Sequence, residues 1–506
     1  MAKYLMGIDN GGTSIKCAIF DLQGNEIVAA SRWADMIIPR PGMTERNANT
    51  VWQLNVEVIQ EALEKSHIQP QDILGVGLTG YGNGICLVDQ HGEPTTNCIV
   101  STDNRGVKYS ELFAKNDVEK EAFALTHQTM WSAQPAALLP WYRDHAPEVL
   151  QKSAYALGIK DYIRMKMTGV FSCEPTESSS WGLMNIHTLS FDLRLFQMLG
   201  IEDCYRLMPP CIGSTEICGR ITPEVSRLTG LAAGTPVASG CFDVDAGALA
   251  SGVLDCETLC LIAGTWSINE HLTTRLAHGY RETTNSLSMS FLPGHYLVEE
   301  STPTSASNFD WFVEKFIAAD RPSIARGELF RECDQRVAEM SPDENDVVFV
   351  PYLFASATHP DAKGVFFNLS SYHNRDHLLQ AVYEGVVFST LFHVKRLMTD
   401  GRHFKHARLS GGVANSTVWT QMMSDALQMP IEILSGSELS AQGAAICAGI
   451  ACGAFNSFEH AVSQMVRVKK VFTPREVFAD IYQKKFAVYE KAQAALDYFH
   501  ESMETI

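Results

Sequence analysis

The stretch that decides the fold is YLMGIDNGGTSIKCAIFDLQGNEIVA, residues 4–29. An apolar segment, Tyr4–Asp9, runs into a glycine-rich turn and continues as a second apolar segment, Ile15–Asp21. A second turn around Gly24 leads to a third segment, Glu26–Ala29. Short β-rich runs that are joined by turn residues are typical of antiparallel strands. The sequence therefore predicts a three-stranded antiparallel meander at the start of the chain.

A helix and a buried strand follow this meander. Apolar residues recur at helical spacing from Trp52 to Leu63, after a capping-box pattern that begins at Thr50. The next apolar run, Ile73–Leu78, reads as a strand and ends in the glycine-rich segment Gly80–Gly84. The order βββαβ, continued by further helices and strands, predicts an α/β domain of the ribonuclease-H-like (actin-like ATPase) type.

The same pattern begins again in the middle of the chain. Thr258–Ala263 reads as a strand, Gly264-Thr265 as a tight turn and Trp266–Leu272 as a returning strand. A chain of 506 residues is also too long for one ordinary hydrophobic core. We therefore predict two ribonuclease-H-like domains with an interdomain active-site cleft, residues 1–248 and residues 249–506.

Composition and charge exclude several classes of protein. The formal net charge of −18 argues against a nucleic-acid partner, which needs a basic face. The 13 cysteines include no C-x-x-C pair, which favours reduced thiols in a reducing compartment over a disulfide framework. The longest run of small apolar residues, Ala444–Phe455, is too short to span a bilayer. We expect a cytoplasmic protein with no membrane partner.

The first turn has the chemistry of a phosphate-binding loop. Gly11 lets backbone amides approach a phosphate, and Thr13 and Ser14 add hydroxyl donors. Lys16 would neutralise charge on the β- and γ-phosphates of ATP, while Asp9 would hold hydrated Mg²⁺. A plain β-hairpin with a capping aspartate is the alternative interpretation.

Two later turns are candidates for the rest of a nucleotide site. Gly264 and Thr265 would hold the same phosphates from the second domain. Gly411 and Gly412 would let a flat purine lie against the backbone, with Asn415 or the next residue capping the following helix. Each turn also has a purely structural interpretation, so the prediction of a nucleotide site depends on the occurrence of both turns in one chain.

A carboxylate beyond an apolar strand is the candidate catalytic base. Phosphoryl transfer to an alcohol needs a group that accepts the hydroxyl proton. Asp243 follows the strand Pro236–Ala238 and would project into the interdomain cleft, where it is also a second candidate ligand for Mg²⁺. Asp245 is the runner-up, with capping of the following helix as its alternative role.

Taken together, these segments resemble the FGGY family of carbohydrate kinases over essentially the whole chain. The resemblance implies two ribonuclease-H-like domains, use of Mg²⁺ and ATP, and a catalytic base at Asp243. The motifs that carry it are Gly7-Ile8-Asp9 with Gly11, Thr13, Ser14 and Lys16; Gly264-Thr265; Gly411-Gly412 with Ala414, Asn415, Ser416 and Trp419; Gly364-Val365-Phe366 with His377–Val386; and Lys160–Ile163 before Met167-Thr168-Gly169.

Within this family the chain is most similar to L-xylulose kinases, through Thr102–Arg105 and Phe242–Val244. The resemblance implies phosphorylation of a terminal hydroxyl of a ketopentose such as L-xylulose. The pair Gly82-Asn83 differs from the Arg-Glu of glycerol kinases, the Met-His of D-xylulose kinases and the Gln-Gly-Lys run of L-xylulose kinases. Tetritols, pentitols, D-xylulose, D-ribulose and 3-keto-gulonate therefore stay open as substrates.

The candidate sugar pocket lies in the first domain. Its predicted residues are Tyr81, Gly82, Asn83, Asp103, Trp131, Gln134 and Asp243. Two alternatives stay open, because Asp103 and Arg105 can pair with each other and Trp131 can belong to the core. An actin-like ATPase and a non-catalytic sugar-sensing regulator are the rival functions, and a homodimer is one option for the assembly.

Overall fold

The computed structural model describes residues 3–276, 279–280, 286–319, 321, 323–354, 362–398 and 401–503. The strands β1 to β21 are, in order, Tyr4–Asn10, Ser14–Asp21, Glu26–Trp33, Glu45–Arg46, Ile73–Gly80, Cys86–Val88, Cys98–Ile99, Tyr155–Leu157, Met184–Asn185, Ser190–Phe191, Ile217–Arg220, Pro236–Ala238, Thr258–Ala263, Ser267–Thr273, Ser286–Met289, Tyr296–Thr302, Val348–Val350, Val365–Phe367, His406–Ser410, Ile431–Leu434 and Val468–Phe472. The helices α1 to α17 are Ala48–Ser66, Val107–Lys115, Val118–Thr126, Pro135–His145, Pro147–Lys152, Ile159–Thr168, Pro175–Ser179, Leu193–Met198, Pro223–Thr229, Asp243–Ala250, Ser307–Phe312, Arg326–Ala338, Arg375–Leu397, Thr417–Leu427, Leu439–Ala451, Phe458–Met465 and Glu476–Met503.

The first large sheet contains the predicted meander. Its strand order is β11-β12-β5-β1-β2-β3, with β1, β2 and β3 antiparallel to one another. Strand β5 lies parallel to β1, and β12 lies parallel to β5. The prediction of three antiparallel strands is confirmed, and it places Asp9 at the end of β1 directly opposite Lys16 of β2.

The second large sheet repeats this arrangement. Its order is β15-β16-β14-β13-β19-β20-β21. Strands β13, β14 and β16 form an antiparallel meander, β19 and β20 add in parallel to β13, and β21 closes the edge antiparallel to β20. The same succession of pairings in both halves confirms two ribonuclease-H-like units.

The start of α1 differs from the prediction. The helix begins at Ala48, and the capping residue is Asn47, whose side-chain oxygen accepts a hydrogen bond from the backbone N–H of Thr50 at 3.0 Å. Thr50 is therefore the third residue of the helix and not its cap. An asparagine placed before the first turn accepts a hydrogen bond from a free N–H of that turn, which is the capping role that the sequence pattern had assigned to Thr50.

Helix α15, from the second half of the chain, packs against the first sheet and against α10. A Cβ on Gly7 would lie 1.7 Å from the carbonyl oxygen of Ala441, and a Cβ on Gly77 would lie 1.8 Å from that of Ala444. Only glycine allows the strands and this helix to approach so closely. No helix in the described ranges is both long and apolar enough to cross a membrane.

One expectation about the cysteines is wrong. Cys86 and Cys98 form a disulfide. The neighbouring residues Ile85 and Ile99 pair as an isolated bridge between their segments, which brings the two sulfur atoms together. Among the described residues, the remaining cysteines are free thiols, as predicted.

Candidate active site

The first predicted phosphate turn is an exposed hairpin loop between β1 and β2. Gly12 and Thr13 are exposed, whereas the flanking strand residues are largely buried. A Cβ on Gly12 would meet no atom within 4 Å, so the loop faces open space. Such a loop is accessible to a ligand, and the phosphate-binding role of Gly11, Thr13 and Ser14 stays a prediction.

Asp9 carries a carboxylate that is poorly satisfied by the protein. Burial raises the pKa of Asp9 to about 6, against the opposing attraction of Lys16, and the charge of Glu438 raises the pKa further. Its Oδ1 atom is buried and has no hydrogen-bond partner in the described part of the chain. A hard oxygen ligand in this state fits Mg²⁺.

Lys16 makes a contact that the sequence analysis did not anticipate. Its ammonium group lies 2.8 Å from Oε2 of Glu438, the residue just before α15. Burial lowers the pKa of Lys16, but the hydrogen bond and charge of Glu438 outweigh burial and raise the pKa overall. The sequence carried no signal for this pair, because most of the chain separates its members: Lys16 lies on β2 and Glu438 at the start of α15.

The second and third predicted turns lie against each other. Gly264 and Thr265 connect β13 to β14, and Thr265 is exposed. Gly411 has φ +88°, and a Cβ there would lie 2.5 Å from the carbonyl oxygen of Ala263. The structure thus brings the Gly264 turn and the Gly411-Gly412 turn together at the ends of the parallel strands β13 and β19.

The structure decides which of two candidate residues caps α14. Ser416 accepts a hydrogen bond from the backbone N–H of Trp419 at 3.0 Å and is the capping residue. Asn415 ends the preceding short 3-10 helix and is exposed. Asn415 therefore leaves the capping role to Ser416, and its exposed side chain lies next to the glycine pair.

The candidate base, Asp243, opens helix α10. Burial raises the pKa of Asp243 well above its ordinary value, and the charges of Asp9 and Glu299 raise it further. Asp9 belongs to the first sheet and Glu299 to β16 of the second sheet, so Asp243 lies between the two halves. Its Oδ1 accepts the backbone N–H of Val244 at 2.9 Å, which orients the carboxylate.

Asp245, the runner-up, is a buried structural residue. Its Oδ1 accepts the backbone N–H of Phe291 at 3.0 Å, and the residue is 0% exposed. This bond ties α10 to the second half of the chain. The geometry therefore favours Asp243 over Asp245 as the group that faces a substrate.

The glycine-rich segment Gly80–Gly84 at the end of β5, which we call the sugar loop after its predicted role, contacts the segment that carries the candidate base. A Cβ on Gly82 would lie 2.1 Å from the ring of Phe242, the residue before Asp243. Asn83 has φ +62° and is 7% exposed, and its Oδ1 accepts a hydrogen bond from Ser180. The structure therefore brings Gly82 and the candidate base into one neighbourhood.

Asp103 and Gln134 are engaged within the protein. Asp103 is 0% exposed, and its carboxylate accepts hydrogen bonds from Arg105 and from the backbone N–H of Thr44. This is the ion pair that the sequence left open as an alternative. Gln134 is also 0% exposed, and its amide binds Gln128 and two backbone groups.

Tyr81 and Trp131 differ in how much surface they offer. Tyr81 is 4% exposed, its hydroxyl has no hydrogen-bond partner in the described ranges, and burial raises the pKa of this phenol. Trp131 is 42% exposed, so it is not a core residue. Of the predicted pocket residues, Trp131 offers the largest exposed apolar surface.

Comparison with known proteins matches two family models in tandem. The N-terminal domain of the FGGY family of carbohydrate kinases matches residues 4–250, and the C-terminal domain of the same family matches residues 259–452. Together these two matches cover most of the chain.

Full-length relatives agree with the family models. The chain is 33% identical to the L-xylulose/3-keto-L-gulonate kinase of Escherichia coli K12, over 99% of this chain and 98% of the relative. Its structure is similar to that of xylulose kinase from Rhodospirillum rubrum, with a TM-score of 0.87 and 25% identity over 98% of this chain and 99% of the other. A ligand-bound xylulose kinase from Lactobacillus acidophilus has the same fold, with a TM-score of 0.89 at 20% identity and 98% coverage of both chains. The chain belongs to the FGGY family of carbohydrate kinases.

Proposed function

We propose that this sugar kinase transfers the γ-phosphoryl group of ATP to a terminal hydroxyl of a ketopentose, with L-xylulose as the first candidate. The observation that carries the choice of substrate is the similarity along the full chain to the L-xylulose/3-keto-L-gulonate kinase of Escherichia coli, at 33% identity. The alternative substrates are other small polyhydroxy compounds: D-xylulose, D-ribulose, tetritols, pentitols and 3-keto-gulonate.

The residues of the two turns fit a Mg²⁺-bound triphosphate. The N–H groups of Gly12 and Thr13 have no hydrogen-bond partner among the described residues, and Asp9 has a buried unpartnered oxygen. Thr13, Ser14 and Lys16 would hold the phosphates from the first half of the chain, and Gly264 and Thr265 from the second. Gly411, Gly412 and Asn415 would hold the adenosine. Bound Mg²⁺ would offset phosphate charge, with Asp9 and Asp243 as its protein ligands.

Asp243 would act as the general base. Its raised pKa means that the carboxylate has a strong affinity for a proton, which suits a group that accepts one from an attacking alcohol. Tyr81, Gly82 and Asn83 would form the floor of the sugar pocket, and Trp131 would cover the apolar side of the carbon chain. Asp103 and Gln134 would support the wall of the pocket without binding the sugar, because their polar atoms are already hydrogen-bonded within the protein.

We assign sugar binding and the first phosphate motif to residues 1–248 and nucleotide binding to residues 249–506, in a cytoplasmic enzyme, with a homodimer as one option for its assembly. A cytoplasmic location is supported by the need for ATP, and light scattering of the purified protein tests the dimer. The contact between α15 and the first sheet would couple the two domains during closure, which excludes water from the phosphates.

The test is an ADP-release assay with purified protein across ketopentoses, tetritols, pentitols and 3-keto-hexonates. The highest kcat/KM is expected for L-xylulose, and Asp243→Asn should lower the sugar-dependent signal by roughly 10²–10⁴. Turnover of glycerol alone would refute the ketopentose assignment. ATP hydrolysis that no sugar stimulates would favour an actin-like ATPase, and ligand binding without turnover would favour a sugar-sensing regulator.

A further inference from the structure

Arg46 is a buried arginine whose positive charge has no anionic partner in the described part of the chain. It lies on the short strand β4 and is 2% exposed. Two other buried arginines both have carboxylate partners, Arg105 with Asp103 and Arg164 with Asp161. Burial lowers the pKa of Arg46, with only a weak opposing effect of Tyr81. A buried cation without an anion is costly, so its retention calls for a compensating group.

The guanidinium group binds the back of the first phosphate turn. Nη1 donates to the carbonyl oxygen of Gly11 at 3.0 Å, and Nη2 donates to the carbonyl oxygen of Gly12. In a trans peptide the C=O and the next N–H point in opposite directions. Arg46 therefore turns the N–H groups of Gly12 and Thr13 away from itself, towards the open side of the loop.

Those two N–H groups are available to a ligand. Neither the N–H of Gly12 nor that of Thr13 has a hydrogen-bond partner in the ranges that the structure describes, since both residues also lie outside the ladders of β1, β2 and β3. Two adjacent amides that point the same way form a concave anion site. The charge of Arg46 lies directly behind them and acts through the turn on the same position.

The second phosphate turn is held from behind in a comparable way. The backbone N–H of Ala306 donates to the carbonyl oxygen of Gly264 at 3.0 Å, and Ser307 Oγ donates to that of Thr265 at 3.1 Å. Both turns therefore have their carbonyl groups fixed on the inner side. Among the contacts of the described residues, the first turn is held by a charged group and the second by neutral groups, which distinguishes Arg46 from a simple structural support.

Arg46 also reaches the sugar loop. Its Cζ atom lies 5.7 Å from the centre of the Tyr81 ring, and the backbone N–H of Tyr81 donates to the carbonyl oxygen of Asn10 at 3.0 Å. The neighbouring residue Glu45 binds Arg105 at 2.7 Å, on the side of Asp103. Arg46 of β4 thus contacts both the phosphate turn and the sugar loop, whereas Glu45 supports Arg105.

We infer that Arg46 is a positioning residue for phosphoryl transfer: it fixes the Gly11-Gly12-Thr13 turn so that two backbone amides, backed by its own charge, receive a nucleotide polyphosphate. This inference rests on the proposed use of ATP. It adds a residue outside every motif that the sequence indicated, and it assigns that residue to the phosphates and not to the adenosine.

The test compares Arg46→Lys, Arg46→Gln and Arg46→Met with the wild-type protein by calorimetric titration. The probes are Mg²⁺ with AMP-PNP, a polyphosphate nucleotide, and adenosine, which has no phosphate. Loss of two hydrogen bonds from a charged donor should weaken AMP-PNP binding about 10²-fold in Arg46→Met and about 10-fold in Arg46→Lys. Adenosine binding should change less than about threefold, because the adenosine turn is untouched.

Arg105→Lys is the matched control, since Arg105 is a second buried arginine supported by the same strand. It should raise the KM for the sugar and leave AMP-PNP affinity unchanged. Equal weakening of AMP-PNP and adenosine by the Arg46 variants would show a merely structural role and overturn the inference, as would AMP-PNP affinity within threefold of wild type. If Arg46→Met does not fold, the Arg46→Lys and Arg46→Gln variants decide the question by the same comparison of AMP-PNP affinity with adenosine affinity. Failure of the wild-type protein to phosphorylate any sugar would refute the proposed function alone, because these titrations need no turnover.

Discussion

Replacement of Gly82 by alanine is the most direct test of the contact between the sugar loop and the base. The added Cβ would lie 2.1 Å from the ring of Phe242, whereas ordinary contacts of such an atom begin at 3.4 Å. The difference, 3.4 − 2.1 = 1.3 Å, is the separation that the loop and the ring must gain. Phe242 directly precedes Asp243, so the base should move with the ring.

The expected loss follows from this displacement. A misplacement of about 1 Å at a reacting centre costs on the order of 10²-fold in rate. We therefore expect Gly82→Ala to lower kcat about 10²-fold with the best sugar substrate. The affinity for AMP-PNP should stay the same, because the phosphate and adenosine turns are not displaced. The double variant Gly82→Ala/Phe242→Leu should recover part of the loss, since leucine is shorter than phenylalanine.

The assay is coupled ADP release with sugar and ATP varied separately, together with a thermal melt. Gly327→Ala is the matched control, because Gly327 is exposed near the start of α12 and its nearest neighbour to an added Cβ, on Arg331, lies at 3.9 Å. This control should have normal kinetics. A Gly82→Ala protein with wild-type kcat and sugar KM would refute the placement of Gly82 beside the base.

Four further predictions concern the charged groups of the site. Asp243→Asn should lower kcat by roughly 10²–10⁴ with AMP-PNP affinity preserved in titration. Lys16→Met should chiefly lower kcat, because its charge is needed most in the transition state. Glu438→Gln should instead lower the KM for ATP two- to fivefold, since Lys16 loses a partially exposed competitor worth about 1 kcal/mol or less; steady-state kinetics separates these two effects. Asp9 has a pKa of about 6 in the folded protein against an ordinary value of 3.8, so folding takes up a proton between these values and stability falls as pH rises through them. Thermal melts without metal or nucleotide should therefore show Asp9→Asn more stable than wild type at pH 8, and the difference should vanish near pH 4.

Local patterns were enough to predict the elements that form the two candidate phosphate turns. The three-stranded meander around Asp9 follows from apolar runs and turn residues that are adjacent in the chain, and so does the hairpin at Gly264. Asp243 was placed correctly at the end of a strand and the start of a helix. In each case the determinant is a contact between residues close in sequence, which a pattern can display.

The contacts that connect these elements were not predictable in the same way. Arg46 binds a turn 34 and 35 residues away, and Lys16 pairs with Glu438 on a helix from the other half of the chain. Such pairs depend on how the two sheets are placed, and a single sequence carries no periodicity for them. The predicted pocket residue Asp103 shows the same limit, because only the fold decides whether its carboxylate meets Arg105 or a ligand.

The electrostatic state of the first phosphate turn explains why these long-range contacts matter. On the open side of the turn, burial raises the pKa of both Asp9 and Asp243, and the charge of Asp9 raises the pKa of Asp243 further, so both carboxylates would gain from a cation. Behind the turn, Arg46 is buried without an anion in the described residues and would gain from a negative charge. A metal-bound polyphosphate offers the cation to the carboxylates and its oxygens to the amides in front of Arg46. One ligand class thus satisfies both sides of the turn, whereas a free anion would meet the two carboxylates and a free metal ion would leave Arg46 uncompensated.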